Sequence, residues 1–160
     1  MTTKERPIPA GASRPRPSLR ARAMGLLARR EHSRQELSRK LERVAGEGDD
    51  VEVVLDELSA KGWLSDTRFA EQSVRAKARR YGPLKVAHDL RTKGVDDEAI
   101  AAAFRAAGSD GAASIESVWR ARFKAAPVND RERARQVRFL QGRGFALNEV
   151  LRFLKTRETP

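Results

Sequence analysis

The 160-residue chain carries 33 Lys and Arg against 22 Asp and Glu, a formal charge of +11 with a pI near 10.9, which points to a polyanionic partner: nucleic acid, an anionic membrane or an acidic protein. The absence of cysteine excludes a disulfide framework and a thiolate zinc site and fits a reducing cytoplasm. No apolar run approaches the ~18 residues that span a bilayer, and Met1 to Ser18 lacks the apolar stretch of a signal peptide, so a cytoplasmic protein without a membrane segment is expected.

Residues 1–17 read as a disordered basic tail, because Pro7, Pro9, Pro15 and Pro17 interrupt any helix and Arg6, Arg14 and Arg16 repel one another. An untethered terminus is the plain reading, and a basic arm touching nucleic acid the other. A first helix is predicted over 18–30. Ser33-Arg34-Gln35-Glu36 has the pattern of a reciprocal cap and opens a second helix that runs to about Val44, with Leu37, Leu41 and Val44 on one face. A turn over 46–50 leads to a third helix over 51–61, its stripe formed by Val51, Val54, Leu55 and Leu58. Gly62 ends that helix, and Trp63-Leu64 pins the junction. A long helix is predicted over 65–80. Gly82-Pro83 breaks it, with Pro83 suited to a first helical position, and helices follow at 83–93 and 96–107. After a connector at Gly108–Gly111, helices are predicted near 112–125, 130–143 and 146–156, the first pair interrupted by Pro127 and Asn129.

The pattern is written three times. Leu41, Val54 and Leu58 recur as Leu90, Ile100 and Phe104, then as Leu140, Val150 and Leu154. The last two members stand four residues apart each time, and the preceding gap is ten residues in the second and third units and thirteen in the first, where Gly46-Glu47-Gly48 lengthens the turn. Lys93-Gly94-Val95 and Arg143-Gly144-Phe145 repeat the junction. A period of about fifty residues marks a row of small helical units, each expected to bury its apolar face only against its neighbours. The expected fold is all-α: an elongated array of three tandem three-helix repeats over 18–64, 65–108 and 109–157, a right-handed-type helical solenoid behind the tail.

The charges are sorted along these units. Glu47 to Glu57 holds six acidic residues and no basic one, and Asp96-Asp97-Glu98 holds the equivalent place in the second unit. Both lie at starts of third helices, where the helix dipole favours negative charge. Arg75, Lys77, Arg79, Arg80 and Lys85 fall within eleven residues that contain no acid, and Arg131, Arg133, Arg135, Arg138 and Arg143 repeat the enrichment. At helical spacing Arg68, Arg75 and Arg79 share a stripe of ~40°, away from Ala70, Val74, Ala78 and Tyr81. A solvated face is the plain reading of such a stripe; its imbalance of sign favours a binding track.

Signals of catalysis are missing. His32 and His88 stand fifty-six residues apart and read as surface histidines rather than metal ligands. The sequence contains no P-loop, no Gly-x-Ser-x-Gly elbow and no Cys–His pair, and Gly108-Ser109-Asp110-Gly111 opens no phosphate motif. Trp63, Phe69, Trp119, Phe139 and Phe145 read as core or junction residues rather than base-stacking platforms. No cofactor, no metal and no enzymatic activity are expected.

The stretch Leu27-Ala28-Arg29-Arg30-Glu31-His32-Ser33-Arg34-Gln35-Glu36-Leu37 resembles the opening of the bacterial RecX regulatory family. Gly62-Trp63-Leu64-Ser65-Asp66-Thr67-Arg68-Phe69-Ala70-Glu71 with Val74-Arg75, then Tyr81-Gly82-Pro83-Leu84-Lys85-Val86 and Asp89-Leu90-Arg91-Thr92-Lys93-Gly94-Val95, continue the likeness. Trp119 and Arg138-Phe139-Leu140-Gln141-Gly142-Arg143-Gly144-Phe145 carry it into the third unit, so that it covers about 19–155 and leaves out the proline-rich tail. The resemblance implies a non-catalytic modulator that binds RecA along the groove of the RecA–DNA filament. It implies inhibition of strand exchange, of RecA ATPase and of the co-protease activity behind the SOS response. Contact with single- or double-stranded DNA stays open, a monomer is expected, and no membrane is involved. The candidates for contact are Arg34, Arg68, Arg75, Lys77, Arg79, Arg80, Lys85, Arg91, Arg138 and Arg143. The alternative is a stand-alone helical DNA-binding protein built on helix-turn-helix units, against which stand the acidic starts of the third helices. A membrane binder is weaker still, since the alanine-rich faces lack bulky apolar residues.

Overall fold

A computed structural model describes residues 15–111 and 115–158 of the chain, with the side chains of 109–111 set aside. The described residues form helices and turns. Three helices come first: α1 (Leu19–Arg29), α2 (Arg34–Glu42) and α3 (Val51–Ala60). Then come α4 (Asp66–Lys77), α5 (Pro83–Thr92) and α6 (Asp97–Gly111), and last α7 (Ile115–Arg120), α8 (Asp130–Gly142) and α9 (Leu147–Glu158). The expected tail lies outside the described residues except for 15–17.

Short polar side chains start most of these helices, each accepting an otherwise unpaired amide of the first turn. Ser18 accepts from the Ala21 amide at 3.1 Å, Asp50 from Val53 at 3.2 Å, Ser65 from Arg68 at 3.2 Å and Asn129 from Glu132 at 2.9 Å. Ser33 accepts from Glu36 at 3.1 Å, but the expected reciprocal bond gives way: the Glu36 carboxylate binds the Arg30 guanidinium at 2.5 and 3.1 Å. A charge-assisted pair outcompetes a return bond to a neutral amide. Pro83 takes the first position of α5, as expected.

Helix ends depart from the expectation where the chain must turn. α2 stops at Glu42, and Val44 stands 42% exposed rather than on the buried face. α4 stops at Lys77, short of Arg80, and the amides of Arg80 and Tyr81 close a turn on the Lys77 carbonyl. Helical geometry breaks at Gly108 (φ 58°), the start of the expected connector. α7 ends at Arg120, well before 125, where the Arg122 and Phe123 amides both fold onto the Trp119 carbonyl. Buried Gln136 holds that turn in place, accepting from the Trp119 indole at 2.7 Å and donating to the Ala125 carbonyl at 3.2 Å.

The packing corrects the stacked-core expectation. Leu37, Leu41, Leu55 and Leu58 are sealed within α1–α3; Phe69, Val74, Leu90 and Ile100 within α4–α6; Trp119, Leu140, Phe145, Val150 and Leu154 within α7–α9. Each triplet therefore buries its own apolar stripe. Helix contacts of substance run inside the triplets, and neighbouring triplets meet through turns. Trp63 does not pin the first junction: it is 43% exposed beneath the cations of Arg20 and Lys61, while Leu64 is buried. His32 is not a surface residue either, being 1% exposed just ahead of the Ser33 cap.

Candidate cationic interface

Two joints link the triplets, and they share one design. In each, the start of a triplet's middle helix rests on the glycine turn between the middle and last helices of the next triplet. At the first joint the Ser33 hydroxyl donates to the Lys93 carbonyl at 2.7 Å, and the Arg34 amide donates to Asp66 at 2.7 Å. At the second, the Gly82 amide donates to the Arg143 carbonyl at 2.6 Å and the Leu84 amide to the Gly144 carbonyl at 3.0 Å. Gly94 (φ 78°) and Gly144 (φ 96°) supply the left-handed turns, a region that side chains with a Cβ rarely enter.

The charges at the two joints differ. At the first, cations meet carboxylates: Arg34 bonds Glu52 at 2.7 Å and Asp56 at 2.6 Å, and Arg68 bonds Glu31 at 2.9 Å. Those two carboxylates hold Arg34 still more firmly protonated than an ordinary arginine. At the second joint Lys77 and Lys85 share a single carboxylate, Asp89, at 3.0 and 3.7 Å. Their charge, with Lys77's hydrogen bond leading, keeps Asp89 below the usual carboxylate range. Tyr81 lies between two cations, with Lys85 at 5.2 Å and Arg143 at 5.5 Å from its ring centre, and Phe139 takes the Arg143 guanidinium at 5.1 Å. Arg143 also donates to the Arg80 carbonyl at 3.4 Å, which brings the end of α4 and the end of α8 together. Among the described residues, Arg75, Arg79, Arg80 and Arg138 have no carboxylate partner.

A second basic surface runs along α8. Arg131, Arg135 and Arg138, with Asn129 and Glu132, line an open groove of ~520 Å³. Arg133 is withdrawn from it by Glu158 at 2.6 Å. Among the described residues no group of three metal-ligating side chains occurs, and no helix is long and apolar enough to cross a membrane.

Family models for RecX match the chain twice: the first three-helix domain over residues 20–58 and the second over 65–103. The regulatory protein RecX of Ralstonia nicotianae is 44% identical over 138 residues, covering 86% of this chain and 87% of the relative. That of Chromobacterium violaceum is 42% identical, covering 86% and 89%. The chain belongs to the RecX regulatory protein family. The crystal structure of RecX from Lactobacillus salivarius shares its fold, with a TM-score of 0.70 at 19% identity over 86% of this chain and 95% of that one.

Within this RecX-family fold the ten candidate cations separate into three sets. Arg34, Arg68 and Arg91 are tied to carboxylates, Arg91 to Asp97 at 2.7 Å. Lys77, Lys85 and Arg143 converge on the second joint, held by Asp89 and Tyr81. Arg75, Arg79, Arg80 and Arg138 project without a partner. The sequence missed the role of Tyr81, which reads there as one more apolar residue. Its place beside the Gly82-Pro83 break was the available signal, since an aromatic next to a chain reversal is placed to touch both arms.

Proposed function

We propose that this RecX-family chain binds RecA and the RecA–DNA filament and inhibits recombinase, ATPase and co-protease activity, thereby modulating recombinational repair and the SOS response. The carrying observation is the surplus of cations at the second joint, where Lys77 and Lys85 share the one carboxylate of Asp89 while Arg79, Arg80 and Arg143 have no carboxylate partner among the described residues. Such a field steers a polyanionic partner to that place and raises its association rate. A row of three rigid triplets held by short joints offers a surface long enough to follow successive protomers. The chain acts as a monomer in this reading, without catalysis of its own. The α3 and α6 starts expose Glu52, Asp97 and Glu98, which argues against inserting either helix into a DNA groove as a stand-alone reader.

The test titrates the purified chain into RecA, single-stranded DNA and ATP, with a bare-DNA gel shift alongside. Loss of ATP hydrolysis at substoichiometric protein, without matching affinity for DNA, is the expected result. Arg79→Glu with Arg80→Glu weakens inhibition about tenfold, equivalent to ~1.4 kcal/mol. Tight bare-DNA binding with no effect on RecA overturns the reading in favour of a stand-alone DNA-binding protein.

A further inference from the structure

α1 and α2 leave an open groove of ~440 Å³ on the first triplet, away from every cation assigned above. Its floor is apolar: Leu41 lies fully buried at the base, Leu26 is half-buried, and Val44 forms a wall that is 42% exposed. Gly25 opens the floor further, because a Cβ placed on it meets no atom within 4 Å. The rim is cationic throughout, formed by Arg22, Arg29, Lys40 and Arg43. Three of these have no carboxylate partner among the described residues; Arg22 reaches only the Pro17 carbonyl, at 3.4 Å. Lys40 is held by His32 at 2.9 Å and by the edge of Glu36 at 3.9 Å. An apolar floor inside a cationic rim that holds three guanidinium groups without carboxylate partners fits a partner with the reverse pattern.

We infer that this groove docks an acidic segment of a partner protein, which seats bulky aliphatic side chains between α1 and α2 and sets its carboxylates against Arg22, Arg29 and Arg43. Charge decides the occupant. The chain's own first seventeen residues carry Lys4, Arg6, Arg14 and Arg16 against Glu5 alone, and so are repelled by the rim. A second copy offers the acidic stretches at the starts of α3 and α6, but most of their groups are already engaged. Asp49 accepts from the Gly46 amide at 2.8 Å, Asp50 caps α3, Glu52 and Asp56 hold Arg34, Glu57 pairs with Lys61, Asp96 accepts from the Ala99 amide and Asp97 pairs with Arg91, which leaves Glu47 and Glu98, one in each stretch. Nucleic acid would satisfy the rim but not the floor, which presents aliphatic side chains and no ring on which a base could stack.

The full chain would be titrated with a short fluorescein-labelled peptide of Glu and Asp interrupted by Leu at helical spacing, read by anisotropy. A version with Ser in place of Leu and a labelled oligothymidylate serve as comparisons. The decisive variant is Gly25→Leu, which fills the floor in space that is empty and replaces a poor helix former by a good one. Its melting temperature is expected to stand at or above that of the parent, so lost binding cannot be ascribed to lost folding. The expected outcome is an affinity at least about tenfold weaker for Gly25→Leu, for Arg29→Glu with Arg43→Glu, and for the Ser peptide on the parent chain. Equal binding of the peptide by Gly25→Leu and the parent overturns the proposal, as does equal binding of the Ser peptide, which would mark a diffuse cationic surface. Gly25→Leu blocking the oligothymidylate while sparing the peptide would overturn it in favour of nucleic acid, and a concentration-dependent increase in mass of the parent, abolished by Gly25→Leu, would overturn it in favour of a second copy.

Discussion

Gly82 and Gly144 touch backbone to backbone: a Cβ on Gly82 would stand 2.5 Å from the Gly144 carbonyl oxygen. Neither side can yield as a flexible side chain would, because both are main chain, and the Gly82 amide is already bonded to the Arg143 carbonyl at 2.6 Å. Gly82→Ala should therefore pry α5 from the α8–α9 turn, with a cost of about 1–3 kcal/mol. Each triplet keeps its own core, so the helix content should persist while small-angle scattering reports a less defined arrangement. A variant with unchanged scattering and melting would refute the rigid joint.

The first joint depends on one hydroxyl with two duties. Ser33 caps α2 and also donates to the Lys93 carbonyl, whereas Ser65 caps α4 with no such second bond. Loss of a cap costs about 1 kcal/mol, and a carbonyl left without its buried donor adds about 1–3 kcal/mol. Ser33→Ala should accordingly cost more than Ser65→Ala in denaturant titrations. Equal losses would mean that the Lys93 bond contributes nothing.

Separate cores make the damage from cavity mutations local. Leu41, Leu90 and Leu140 occupy matching places and are at most 1% exposed. Their replacement by Ala should cost about 2–5 kcal/mol each. Hydrogen exchange followed by mass spectrometry should show faster exchange in α7–α9 for Leu140→Ala, with α1–α3 unchanged. Uniform acceleration along the chain would show one cooperative unit instead of three.

His32 makes stability sensitive to acid. Its Nδ1 lies 3.0 Å from the Arg30 carbonyl, which can only accept, so Nδ1 carries the proton and Nε2 accepts from Lys40 at 2.9 Å. Burial pushes its pKa below the ordinary value, helped by the charges of Arg30 and Lys40 and opposed by the bond to the Arg30 carbonyl. The unfolded chain then takes up the proton first as pH falls. Stability from the neutral ring is complete above the ordinary value of about 6.5 and is lost as pH drops through the folded one. Denaturant titrations from neutral to mildly acid pH should show the advantage of the parent over His32→Gln shrinking in that direction. A constant advantage would mean that the ring does not titrate in this range.

Ion-paired and unpaired cations should respond differently to substitution. Arg34→Ala gives up two contacts on a partly exposed surface, worth at most about 1 kcal/mol, and should leave RecA inhibition near that of the parent. Arg79→Glu with Arg80→Glu gives up no ion pair and should leave the melt unchanged while inhibition falls. The reverse pattern in paired melting and ATPase assays would move the contact surface to the first joint.

Local chemistry was legible in the sequence because its causes are local. The Leu41, Leu90 and Leu140 series, the cap at Ser33, the Gly82-Pro83 break and the Gly62, Gly94 and Gly144 turns each depend on residues a few positions apart, through helical period, an amide in need of an acceptor or a backbone that must turn left. The same reading found the surplus of cations but could not tell which would be neutralised. Arg34 lies eighteen residues from Glu52 and Arg68 thirty-seven from Glu31, and only folding closes those distances. Burial of His32, exposure of Val44 and Trp63, and enclosure of each core by its own three helices are likewise decided by how the helices cross, which no spacing along the chain encodes. Pattern determined which elements form; the folded structure decided where α2, α4 and α7 end and which charges remain for a partner, because pairing and burial depend on distance in space.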